Sequence, residues 1–168
     1  MTDHVTTAAD HELAEQLQEF VYGSLTVLIA IGALSGERLD SARNAFVIVV
    51  GTAVATWLAH TFAAVMGVHI RERRAVTGEE VATEFRNSWR VVTASVPTGV
   101  VLVGAGLGLY SVRGALTAGI ALCVVQLVVV GVFAGTRAGS SRMGALGYAA
   151  AATVIGLAIV MMEVVIHH

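Results

Sequence analysis

Hydrophobic and polar positions along the chain alternate as long apolar runs and short polar interruptions, and the run at residues 45–68 sets the pattern. AFVIVVGTAVATWLAHTFAAVMGV is longer than the roughly 20 apolar residues that cross about 30 Å of hydrocarbon, so it predicts a membrane-spanning helix with room to tilt. Helical spacing puts Thr52, Thr56, His60, Ala64 and Gly67 on one side, with Ile48, Val54, Leu58, Phe62 and Val65 turned away. Small residues let helices approach and polar ones bond across them, while bulky apolar residues match acyl chains. His60 is therefore expected inside a bundle.

Four more runs follow the same logic, at about 20–34, 91–110, 115–134 and 143–166, which gives an all-α integral membrane protein with five transmembrane helices. Before the first span, residues 8–19 are rich in helix formers, with Leu13, Leu17 and Phe20 at helical spacing and His11, Glu15 and Glu19 on another face. Residues 1–19 thus read as an amphipathic segment leading into a transmembrane domain at 20–168. The stripe Glu19, Gly23, Thr26, Ala30 and Ala33 is small or polar and is expected to pack against the His60 face. The polar loop at 35–43 is short, so spans one and two are expected to be antiparallel neighbours.

The connector at 69–90 holds half of the arginines. Thr77 followed by Glu80 fits a capping box, and Val81, Phe85 and Trp89 recur at i+4, which predicts a short amphipathic helix lying at the membrane interface. Span three is interrupted by Pro97 and carries VGAGLGLY, whose GxGxG has no preceding strand and reads as close helix packing rather than nucleotide binding. Span four carries Cys123 and Gln126. In span five, Gly144, Gly147, Ala151 and Ala152 are the expected packing residues.

Composition agrees: 56% of the 168 residues are hydrophobic, 13% are charged, and the mean hydropathy is +0.78. A formal charge of -2 gives no reason to expect a nucleic-acid partner, and one cysteine cannot form an internal disulfide. The N-terminal segment has no basic start and no cleavage pattern, so no removable signal peptide is expected. With five spans, seven arginines fall on the N-terminal side and three on the other. The positive-inside rule then predicts a cell-membrane protein with a cytoplasmic N-terminus and an external C-terminus.

Candidate chemistry centres on His60, the only ionisable residue deep in any span. Such a group is expensive in hydrocarbon unless paired or hydrated, and an imidazole changes charge near neutral pH, so a proton or metal-ion relay is one reading. The other is a neutral histidine bonded to Thr26 or Thr56 that holds helices together in a non-transporting scaffold. Glu19 and Glu163 are expected at opposite membrane entrances, so neither is expected at the depth of His60. Glu163 and His167, one turn apart beside Met161, Met162 and His168, form a second candidate metal set of oxygen, nitrogen and sulfur donors. Glu80 and Glu84 on the connector helix are candidates for attracting cations to an entrance. No cofactor is required, although a transported divalent metal ion would bind along this path. Serines and threonines lack a neighbouring base, and the HEL at His11 has no second histidine at i+4, so no enzyme is expected. Five spans enclose little polar path, so a homodimer or higher oligomer in the lipid bilayer is expected.

The layout, together with EFVYGSLTVL at residues 19–28, resembles the vacuolar iron transporter-like family, whose first helix also opens on Phe/Tyr-Gly. That resemblance implies a divalent-metal/proton transporter. Where the family carries an acid soon after this glycine, Ser24, Leu25 and Thr26 stand here, and the long metal-binding helices of its plant members correspond to a connector of about twenty residues.

Overall fold

Good helix formers run from the polar N-terminal segment straight into the first apolar stretch, and nothing between them breaks a helix. The result is one unbroken helix, α1 (Asp3–Ser35). The computed structural model describes residues 3–35, 41–137 and 141–166, and all elements among them are helices. α2 (Ala42–Glu72) starts at Ser41, whose hydroxyl accepts from the Arg43 N–H, and ends at Arg73 in the left-handed conformation with φ 51°. α3 (Gly78–Asn87) begins with the expected capping box: Thr77 accepts from the Glu80 N–H, and the Glu80 carboxylate accepts from the Thr77 N–H at 2.8 Å.

Pro97 decides the next element. It lacks an N–H and sits in the first turn of α5 (Val96–Gly106), so the helix arriving as α3 and α4 (Arg90–Thr93) bends there by 52°. Gln126 of α6 (Val112–Arg137) donates from Nε2 to the Ala94 carbonyl at 3.4 Å, giving that backbone oxygen at the break a partner from a neighbouring helix. α7 (Arg142–Ile166) follows.

Three helices are long and apolar enough to cross a membrane: Glu12–Leu34 within α1, then α2 and α6. Gly78–Thr93 with Val96–Gly106 makes a fourth when the bent pair is taken as one span, and the apolar stretch Leu146–Ala158 within α7 is shorter. These helices fit a membrane-embedded protein. The outward surface agrees, with Phe62, Val100, Val129 and Val154 all at least 60% exposed.

α1 is the centre of the bundle and packs on α2, α4, α6 and α7. Val27, Leu28, Ile31 and Leu34 meet Ala45, Val49, Leu102, Cys123 and Leu127 in one buried cluster. Small residues set the helix separations. A Cβ on Gly23 would run into the Val91 carbonyl and stand 2.9 Å from the Ala94 Cβ, while one on Gly131 would stand 2.9 Å from the Ala149 nitrogen. Of the span-three glycines, Gly104 lies under the Tyr110 phenol, which donates to the Val101 carbonyl at 2.7 Å, and a Cβ on Gly106 would stand 3.9 Å from the Ala42 Cβ, whereas Gly108 has φ 78° and open space around it.

Two packing expectations are corrected. The buried face of α2 is Ala42, Ala45, Val49, Ala53 and Thr61, so His60 lies at its edge, with about a third of its side chain exposed. Alanines let α1 and α5 come close there, which turns the threonine row aside. On α7 the expected Ala152 packs against the core together with Ala149 and Gly156, whereas Gly147 and Ala151 are exposed; a Cβ on Gly147 would meet nothing within 4 Å.

Candidate functional site: the Glu19–His60 pair

Glu19 on α1 and His60 on α2 face each other, with Glu19 Oε1 4.0 Å from His60 Nε2. The expectation that no acid shares the depth of His60 is therefore wrong. The physical reason is the hairpin: Glu19 lies 16 residues before the end of α1 (35 − 19) and His60 lies 18 after the start of α2 (60 − 42). At 1.5 Å per residue the two positions come level. Glu19 is the better buried partner, with 15% side-chain exposure against 35% for His60. Tyr22, one turn on from Glu19, sets its ring against the imidazole with centroids 5.8 Å apart.

Thr26, one of the two threonines expected beside His60, does not account for it. Thr26 donates to the Tyr22 carbonyl of its own helix at 2.9 Å, so its hydroxyl is engaged along α1. The charges around Glu19 come from four directions: His60 on α2, Arg90 at the start of α4, Glu84 on α3, and Glu15 one turn below on α1. Arg90 is held there by the close approach of α1 to α4, since it precedes Val91, whose backbone touches Gly23. Sequence reasoning missed Arg90 and Tyr22. Their signal was present, because the stripe that carries Glu19 and Gly23 also has to face whatever follows the connector.

The remaining candidates separate. Glu84 joins the surroundings of Glu19, whereas Glu80 is occupied elsewhere. Arg74 donates to both Glu80 oxygens, at 3.0 and 2.5 Å, and also reaches Glu72. The Arg74 guanidinium together with the Thr77 N–H holds the Glu80 carboxyl down at about 2, and the same bonds push Arg74 up. Glu80 thus fastens the α2–α3 corner. The side chain of Glu163 and both His167 and His168 lie outside the described residues. Among the described residues, no group of three or more histidine, cysteine or acidic side chains converges on one point.

The connector helix closes one flank of the pair. Trp57, one turn before His60, packs edge-on against Phe85 at 5.0 Å and Trp89 at 5.2 Å, and its indole N–H donates to the Phe85 carbonyl at 3.3 Å. An acid and an imidazole in contact can share or pass a proton, with the carboxylate compensating the imidazolium. They can equally supply one oxygen and one nitrogen to a cation.

Fold and site define an all-helical protein with three to four candidate membrane spans and a half-buried acid–imidazole pair between its first two long helices. No family model matches this chain, and no characterised protein or solved structure matches it.

Proposed function

We propose that this protein is a small multi-pass membrane transporter or channel for a cation, a proton or a divalent metal ion, and not an enzyme. The observation that carries the reading is the contact between Glu19 and His60, contributed by two different helices that are each long and apolar enough to cross a membrane. Ionisable side chains in such helices are costly, and ion movement accounts best for a pair of them in contact. Arg90, Glu84 and Glu15 around Glu19 provide the opposite and like charges against which a cation would exchange. A proton needs only the pair; a divalent ion would take Glu19 and His60 with water or further donors completing its shell.

The proposal includes five spans with α7 as the fifth, a cytoplasmic N-terminus and external C-terminus in the cell membrane, and a homodimer or higher oligomer. In layout it keeps the resemblance to vacuolar iron transporter-like proteins.

A second reading is a scaffold or accessory subunit, favoured by one observation. Beyond the pair, Val27, Ile31, Leu34, Leu102 and Leu116 fill the bundle without exposure above 6%. The test is flux into liposomes with protons, K⁺ and divalent metals compared in parallel. His60→Ala should abolish flux or its pH dependence at normal expression, and His60→Gln should not restore it. If neither ion nor variant changes flux above empty liposomes, the scaffold reading stands.

A further inference from the structure

Past the Glu19–His60 pair, polar groups continue along one face of the bent helix. Arg90 on α4, Ala94 at the break and Thr98 on α5 follow one another every four residues, and each has a polar group of another helix near it. Arg90 lies near Glu19, the Ala94 carbonyl accepts from Gln126 Nε2 at 3.4 Å, and Thr98 Oγ1 lies 3.7 Å from Cys123 Sγ. Gln126 and Cys123 are three apart on α6 and so share a face, which makes a buried polar layer of two residues against two. Thr98 and Cys123 are fully buried. Beyond them the layer ends, because Ile31 and Thr98 close over Gly119.

One atom in this layer has no role in the fold. Gln126 Oε1 is buried and has no hydrogen-bond partner among the described residues. Its amide nitrogen is fixed by the Ala94 carbonyl, so turning the amide over would set oxygen against oxygen. A buried acceptor left unpaired at hydrocarbon depth loses the full hydrogen bond it makes in water. Because Nε2 and Oε1 belong to one amide, a single water accepted by Oε1 is also within reach of the Ala94 carbonyl, which has a second lone pair.

We propose that Gln126 Oε1 and the Ala94 carbonyl at the α4–α5 break form a water-binding station that hydrates the layer of Thr98 and Cys123. The station is built from neutral carbonyl, amide, hydroxyl and thiol groups, which suits a hydrogen-bonded water rather than a divalent ion. Hydration of the layer does not rest on the transport reading above.

Cys123 is the sole cysteine, so its S–H stretch is a single infrared band and a built-in reporter. In D₂O the exchange is R–SH + D₂O giving R–SD + HDO, which needs water at the layer and no ion gradient. Wild type in lipid bilayers should convert the band from S–H to S–D within minutes, while the amide protons of α6 stay protected, which separates water access from local unfolding. Gln126→Met keeps the volume and removes the acceptor, and should slow this conversion by about tenfold, the size of one hydrogen bond. An S–H band that survives hours in D₂O in the wild type would overturn the station whether or not the variant folds. Equal exchange rates in wild type and Gln126→Met would do the same. Rapid exchange in the wild type, slowed in Gln126→Met, beside liposomes that carry no ions would keep the station and remove the transport reading.

Discussion

Glu19 and His60 stand on adjacent antiparallel helices with oxygen and nitrogen 4.0 Å apart, and the charge of Arg90, at the start of α4, also acts on the carboxylate. Glu19→Gln takes the carboxylate out of the pair, so on the transport reading it should abolish most of the flux at normal expression, whereas Arg90→Gln leaves the pair in place and should lower flux less. Flux into liposomes decides this, and equal flux in wild type and both variants would remove the pair from the ion path.

Close approach at Gly23 makes a stability prediction that is independent of function. Gly23→Ala places a methyl group against the Val91 backbone and 2.9 Å from the Ala94 Cβ, so α1 and α4 have to separate. The expected loss is about 1–3 kcal/mol, the cost of overpacking. Gly147→Ala meets nothing within 4 Å and should be neutral or gain up to about 1 kcal/mol from helix propensity. Unfolding in detergent, followed by circular dichroism, gives both values side by side; equal behaviour would contradict the packing described.

Docking of the connector helix depends on three aromatic rings. Replacing Phe85 and Trp89 by Ser removes both edge-on contacts to Trp57, and should raise cleavage of residues 73–89 by added protease in membranes while insertion is unchanged. Trp57→Phe keeps the rings and loses the bond to the Phe85 carbonyl, so its effect should be smaller. Unaltered cleavage in the double variant would mean that the helix is held by something else.

The α2–α3 corner carries a pH dependence of known sign. Glu80 sits at about 2 in the folded protein against an ordinary value of 4.5, so its bonds favour the folded corner fully above 4.5. That contribution declines as pH falls below 4.5 and is gone below about 2. Protection factors of the amides in the first turn of α3, corrected for the intrinsic pH dependence of exchange, should thus be unchanged from pH 7 to 5 and fall below 4.5, and Glu80→Gln should remove most of this acid sensitivity. Equal acid loosening of the corner in wild type and Glu80→Gln would contradict this role of Glu80.

Topology is tested by cysteine labelling in a Cys123→Ser background. Thr77→Cys and Ser111→Cys lie in the links on either side of the bent helix pair. If that pair is one broken span, an impermeant thiol reagent added outside should label residue 111 and leave residue 77 unlabelled until the membrane is opened. Labelling of both from one side would exclude a crossing by the bent pair.

Sequence by itself determined the helices. Apolar runs as helices, the capping box at Thr77 and Glu80, and Pro97 as a break are local properties, and each appears where the residues require it, with three to four of the five expected spans long and apolar enough to cross a membrane. It also singled out His60, because an ionisable side chain in an apolar run stands out without any knowledge of neighbours. Which residues meet across helices is a different kind of information. The partner of His60 follows from the register of α1 against α2, and the α2 face is rotated from the expected stripe because alanines permit a closer fit than threonines. The charge of Arg90 beside Glu19, the capture of Glu80 by Arg74 and the unpaired oxygen of Gln126 arise only when distant segments are brought together. Helix formation is decided within a few residues, whereas the chemistry of a bundle is decided by packing between helices far apart in the chain.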